Sequence, residues 1–172
     1  GWIPEDKLKE RIRKDNVPYD KWIKEKILYT TPGDAVDYEF VEARLITLSK
    51  QYHIDALCPD PWNSRMLTQR VAKEGIQVVE IPQNIKNMSP GMKEIERLLR
   101  TGNMTHEKNP LARWCFGNVM IAIDGNENIK PMKNKSIDRI DLIVALINAM
   151  AYAVNAEKEY IPYNENRGII ML

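Results

Sequence analysis

With 172 residues, 44% of them hydrophobic and 28% charged, the chain is long enough to bury a real core in one domain and has an ordinary soluble globular composition. A net charge of +1, from 25 basic and 24 acidic residues, excludes a histone-like electrostatic binder and leaves only a local basic patch as a nucleic-acid surface. Cys58 and Cys115, both in apolar surroundings, form neither a disulfide framework nor a zinc array and read as buried thiols; with no membrane-length apolar run and no signal peptide, a cytosolic location is expected.

The opening Gly1-Trp2-Ile3-Pro4 lacks an initiator methionine and reads as mid-protein sequence, an excised piece of something longer. Pro4, Glu5 and Asp6 start a charged surface helix that includes residues 7–12. Pro18 stops it, Asp20 is placed to cap a short helix over 21–26, and residues 27–30 form a short strand ended by Pro32-Gly33. A helical pattern over 37–52 puts Phe40, Val41, Leu45 and Leu48 on one face. A buried strand over 53–58 precedes a helix over 63–74, capped by Asn63 or Ser64 and stopped by Gly75. Residues 76–81 form a strand rich in β-branched side chains. Ser89-Pro90 opens a helix through Arg100, with Ser as cap and Pro at the first helical position. A short helix over 109–116 follows, then a β-hairpin over 118–132 turning at Gly125-Asn126. A long apolar helix starts at Ile140 and runs to about residue 160, and the tail 161–172, with Pro162 and Gly168, is irregular. Helices alternating with strands predict an α/β layered fold.

Two acids stand at the ends of buried elements. Asp60, in Pro59-Asp60-Pro61-Trp62-Asn63, follows the strand over 53–58, and ligands in open α/β sheets bind beyond the carboxyl ends of strands. The flanking prolines fix the backbone, and Trp62 is placed to pack beneath the carboxylate and lock it. The same residues also read as a plain turn with an acid capping the next helix. Asp141 opens the last helix, whose apolar face is Ile140, Val144, Ile147 and Ala151; Asp141, Ala145, Asn148 and Tyr152 form the neighbouring stripe, which predicts an enclosed carboxylate. The plain alternatives are a favourable acid at a helix N-terminus or an ion pair with Arg139, with Asp138 as a competitor. Two carboxylates far apart in sequence are what a divalent-metal site assembles from, since a metal ion compensates their burial. Lys130, Lys133 and Lys135 precede Asp141 and can hold phosphates, or face water as charge runs usually do. His106 reads as a metal or phosphate contact or as a structural hydrogen-bonder, and Asn118 as a capping residue.

In order along the chain, Leu28-Tyr29-Thr30-Thr31-Pro32-Gly33 with Asp37-Tyr38, Asp60-Pro61-Trp62-Asn63, Met88-Ser89-Pro90, Gly102-Asn103, Asn109-Pro110, Trp114-Cys115, Asn118-Val119, Lys130-Pro131-Met132-Lys133 and Ile140-Asp141 form a set. The set resembles the C-terminal nuclease domain of phage terminase large subunits of the HK97-like type, over about residues 2–152. The resemblance implies an α/β, RNase H-like fold, a mixed sheet flanked by helices, as a partial nuclease domain over 1–160. It implies a metal-dependent endonuclease that cuts concatemeric double-stranded DNA during genome packaging in the host cytoplasm, with Asp60 and Asp141 holding two Mg²⁺ or Mn²⁺ ions. Lys130, Lys133 and Lys135 then lie along the DNA backbone, His106 and Asp138 are accessory, and portal protein and the small terminase subunit are partners in the full-length context. The family's first catalytic Asp lies on strands upstream of a segment like Trp2-Ile3-Pro4, so the core's N-terminal strands and one carboxylate are expected to be missing. The chain alone is therefore expected to bind metal poorly and cleave weakly. A non-catalytic module docking on DNA, portal or the small subunit is the rival reading.

Overall fold

The computed structural model describes residues 1–62, 64–132, 136 and 138–156. The expected tail over 161–172, and residues 157–160 of the expected final helix, lie outside the described residues. The chain opens with β1 (Trp2–Pro4), α1 (Glu5–Asp15), α2 (Tyr19–Lys24) and β2 (Tyr29–Thr31). β1 and β2 pair in parallel, with Ile3 opposite Thr30. Asp20 lies inside α2 rather than capping it. Asn16 instead ends α1 in the left-handed conformation, with φ of 50°. Thr31 is fully buried, and its hydroxyl accepts from the Asp37 amide at 3.2 Å.

Asp37 caps α3 (Tyr38–Ser49) by accepting from the Glu39 amide at 2.9 Å. α3 buries no residue, and Phe40, expected on its inner face, is exposed. The reason is that α3 packs chiefly on α4 (Arg65–Lys73) among the described residues, so Val41, Leu45 and Leu48 are only half-covered. Arg70 of α4 reaches back to Glu42 at 3.1 Å and to Glu39 at 3.5 Å. The strand expected over 53–58 pairs only at its end. The Leu57 amide donates to Gln77, and Leu57 and Pro59 accept from the Val79 and Ile81 amides, a short parallel ladder whose only assigned bridge joins Leu57 and Val78. Residues 53 and 55 are exposed rather than buried.

α5 (Ile85–Arg100) starts earlier than Ser89-Pro90 suggests, because Asn84 caps it by accepting from the Asn87 amide at 2.9 Å. Pro90 is therefore inside the helix and leaves the Lys86 carbonyl without its usual partner, at an exposed position. Ser89 is buried, and its hydroxyl accepts from the Ile129 amide at 3.1 Å, tying the hairpin to the helix. α6 (Pro110–Gly117) is capped by Asn109, which accepts from the Ala112 amide. β3 (Ile121–Ile123) and β4 (Ile129–Pro131) form the expected antiparallel hairpin. Asp124 organises its turn by accepting from the Asn126 and Asn128 amides, both at 2.9 Å. Among the described residues the strands thus form small separate pairings rather than one mixed sheet.

The core gathers around α7 (Asp141–Asn155). Ile140, Ile143, Val144 and Ile147 pack on Met88, Met92 and Ile95 of α5 and on Leu111 and Cys115 of α6. Tyr19, Trp22 and Trp114 close one end as an aromatic cluster with ring centroids 5.5–5.9 Å apart. Gly91 sets the α5–α7 approach: a Cβ there would stand 2.7 Å from both the Ala151 nitrogen and the Ile147 carbonyl oxygen. Among the described residues no helix is long and apolar enough to cross a membrane.

Candidate active site

Asp60 stands where the parallel ladder stops. Pro59 and Pro61 supply no N–H, so the pairing cannot extend through them, and the chain turns into α4. Two bonds fix that turn. The Trp62 amide donates to Asp60 Oδ1 at 3.3 Å, and the Ser64 hydroxyl donates to the Asp60 carbonyl at 2.6 Å. The carboxylate is half-buried. Trp62 does not pack beneath it: the indole is 82% exposed, because the bond from its own amide to Asp60 orders the backbone without requiring the ring. Asn63 lies outside the described residues.

Asp141 is the first residue of α7 and is exposed, not enclosed as its stripe suggests. The helix turns its buried face through Ile140, Val144 and Ile147, which leaves the N-terminal acid at the rim. The rim belongs to a cavity of about 530 Å³ between α7, α6 and the β1–α1 segment, where Asp141 is joined by Arg11, Tyr19, Trp114, Cys115 and Arg139. Asp138 accepts from the Arg139 amide at 3.1 Å. The carbonyl of Arg139 accepts from the buried Asn118 side chain at 3.2 Å, which ties the turn before α7 to the end of α6. Burial pushes the Cys115 thiol up, and the Asp141 and Asp138 carboxylates add to it, so both acids act on the same wall. Burial and the hydrogen bond to Asp15 likewise push the Tyr19 phenol up.

Asp60 does not line that cavity. The two acids are linked through Asn148, on α7 two turns after Asp141, whose amide nitrogen donates to the Cys58 carbonyl at 3.4 Å. Asn148 stood in the sequence only as one member of the Asp141 stripe; a lone amide inside the apolar run over 142–154 was the signal available. Neither Asp60 nor Asp141 is in an ion pair among the described residues, Arg139 included. As a divalent-metal centre the described residues fall short, because no group of three or more His, Cys, Asp and Glu side chains among them could hold an ion. Mg²⁺ is commonly held by one or two carboxylates, with waters and substrate phosphate completing its shell, so Asp60 and Asp141 have suitable donor chemistry, but Asp60 does not line the cavity that Asp141 rims. The other expected contacts lie elsewhere. His106 is exposed in a loop, where Nδ1 accepts from the Lys108 amide at 3.0 Å. Lys130 is half-buried in β4 opposite Ala122, while Lys133 and Lys135 lie outside the described residues.

The model of the terminase large subunit endonuclease domain matches residues 2–157. The chain is 34% identical over 164 residues to Protein YmfN of Escherichia coli (strain K12), covering 92% of this chain and 36% of that protein. It is 32% identical over 158 residues to the terminase large subunit of Enterobacteria phage HK97, covering 91% of this chain and 31% of that one. The crystal structure of the HK97 bacteriophage large terminase superposes with a TM-score of 0.81 over 87% of this chain and 32% of that chain, at 32% identity. The chain thus spans about a third of the length of the relatives it matches.

Proposed function

The chain belongs to the terminase large subunit endonuclease-domain family, and from that premise we propose that it is the part of a DNA-packaging nuclease that supplies Asp60 and Asp141 to the cleavage of concatemeric double-stranded phage DNA. The observation that carries the reading is the state of these two acids. Each terminates a structured element, the 57–59 ladder and α7, and neither is neutralised by a cation among the described residues. Alternating helices and short parallel pairings at 2–4 with 29–31 and at 57 with 78 support an RNase H-like layout. Lys130, Lys133 and Lys135 hold the DNA backbone, portal protein and the small subunit are partners of the whole packaging protein, and the reaction takes place in the host cytoplasm.

A Mg²⁺ or Mn²⁺ centre needs ligands beyond these two carboxylates, so no cleavage step is assigned to an ion here. What the chain's own residues do is place acceptors. The Trp62 amide engages Asp60 Oδ1 and orients the other oxygen, and Asp141 presents its carboxylate at a cavity rim beside Arg139 and Arg11. The absence of any group of three or more potential metal ligands among the described residues favours a second reading, a catalytically incomplete module that docks on DNA or packaging proteins.

Two protein forms separate the readings. Supercoiled plasmid is incubated with Mn²⁺ and either the 172-residue chain or a chimaera in which it replaces the matching third of the HK97 large terminase. The chimaera is expected to nick, with Asp60→Ala and Asp141→Ala each costing on the order of 10²-fold in rate, the low end of what removing a positioned proton-transfer carboxylate costs. The chain alone is expected to nick weakly or not at all. A folded chimaera whose nicking ignores both substitutions sinks the assignment of the acids. Robust nicking by the chain alone, lost on Asp60→Ala, refutes the claim that two acids are too few.

A further inference from the structure

We propose that Asn148 is a positioning residue that holds the Asp60 turn against the helix bearing Asp141; the inference rests on the nuclease reading above. Asn148 is 3% exposed, and its amide nitrogen donates to the Cys58 carbonyl at 3.4 Å. Successive peptide groups of a strand face opposite edges. Leu57 and Pro59 spend theirs on residues 77–81, so Cys58 presents its carbonyl to the open edge, where Asn148 meets it. Cys58 lies two residues before Asp60, Pro59 stiffens the backbone between them and Pro61 restricts Asp60 itself, so a restraint on Cys58 is transmitted to Asp60. On the other side, seven residues of helix place Asn148 roughly 10 Å along the axis from Asp141. One side chain thus joins the two acid-bearing elements.

Packing alone does not account for an asparagine here. Asn148 Oδ1 is the buried side-chain polar atom without a hydrogen-bond partner among the described residues. An unpaired buried acceptor is unfavourable, and leucine, bulkier but with the same branch point and number of side-chain heavy atoms, carries none. What leucine cannot do is donate to Cys58.

The test is Asn148→Leu in the 172-residue chain, read by amide hydrogen exchange. The Leu57, Val79 and Ile81 amides of the ladder are expected to exchange about fivefold faster, the scale of one lost net hydrogen bond. The Met92, Ile95 and Ile147 amides of the α5–α7 core are expected to stay within about twofold, because that core opens as a separate unit. In the HK97 chimaera the same substitution is expected to lower kcat about tenfold with KM unchanged, the signature of an interaction that matters in the transition state. Ladder amides that do not move overturn the proposal whatever cleavage does. So does uniform acceleration across ladder and core, since that marks a packing role. If the ladder moves but Asp60→Ala leaves cleavage intact, the tether stands and the nuclease assignment fails. Asn148→Ala, read the same way, decides the case if the leucine variant does not fold.

Discussion

Gly91→Ala is the substitution that most directly tests how α7 is held. In an exposed helix, replacing glycine by alanine stabilises by about 0.5–1 kcal/mol through backbone entropy. At Gly91 the added Cβ meets backbone instead: the Ala151 nitrogen and the Ile147 carbonyl oxygen at 2.7 Å and the Ala151 Cα at 3.1 Å. Heavy atoms at rest stand about 3.5–4.0 Å apart, so the helices must separate by roughly 1 Å. Neither neighbour is a flexible side-chain end that could swing aside. The separation would loosen Met88, Met92 and Ile95 against Val144, Ile147 and Ala151, all buried. Overpacking of this kind costs about 1–3 kcal/mol, and at a backbone-to-backbone contact the upper part of that range applies. After the propensity gain, a net loss of about 1–2 kcal/mol remains.

Urea unfolding followed by far-UV circular dichroism reads the loss. With a slope near 2 kcal/mol/M the midpoint should fall by about 0.5–1 M while the slope stays constant. A variant as stable as the parent, or more so, would show that the propensity term wins and that α5 and α7 do not approach this closely. A midpoint change accompanied by a changed slope would instead point to the unfolded ensemble.

Two further outcomes follow from titratable groups. The Asn128 side chain and amide, with the Asn126 amide, hold the Asp124 carboxyl below the usual range, so its stabilisation of the hairpin turn is present above the unfolded-state value and is lost as pH falls through the folded one; NMR titration should place its midpoint below the ordinary aspartate value, and Asp124→Ala should abolish the acid-dependent loosening of Ile123 and Ile129. Burial raises both thiols, with Cys115 buried and Cys58 half-buried, so disulfide-exchange labelling should be slow at neutral pH, should accelerate as pH rises and should reach Cys58 first, and equal rates at the two sites would contradict the described packing.

What could be read from the sequence was what local periodicity encodes. Ile140, Val144, Ile147 and Ala151 lie on one face at helical spacing, and all four are buried. The hairpin was legible in Gly125-Asn126 between β-branched runs, whereas Asp37 and Asn109 were read only as the first residues of helical segments and act as their caps. Misreadings came where a distant partner competes with a local signal. Ser89-Pro90 has the pattern of a helix start, yet the Ser89 hydroxyl is occupied by Ile129, forty residues away, and Asn84 performs the capping. Phe40 has the spacing of a core residue, but among the described residues that helix packs chiefly on α4 and leaves Phe40 exposed. Asp141 was expected to be enclosed because its stripe contains small residues, and it is exposed because the helix begins there and turns its buried face through Ile140, Val144 and Ile147.

The same contrast explains why the acids were visible in the sequence and their support was not. An aspartate between two prolines, or at the start of a long apolar helix, can be noticed from neighbours one or two positions away. Its usefulness depends on whether its backbone is held, and here the holding groups are remote. Asn118 fixes the Arg139 carbonyl across 21 residues, just before Asp141. Asn148 reaches the Cys58 carbonyl across 90 residues, just before Asp60. In both cases a buried asparagine amide donates to a main-chain carbonyl within two residues of an acid. A single short hydrogen bond on a mobile loop would do little, since ordering the loop would absorb its free energy. These two bonds start from packed elements: Asn118 closes α6, whose Leu111 and Cys115 are core residues, and Asn148 adjoins Ile147, the most buried side chain of α7. The rigidity of both acid-bearing turns is therefore inherited from the α5–α6–α7 core, and any change that moves α7 should act on both carboxylates, although it touches neither.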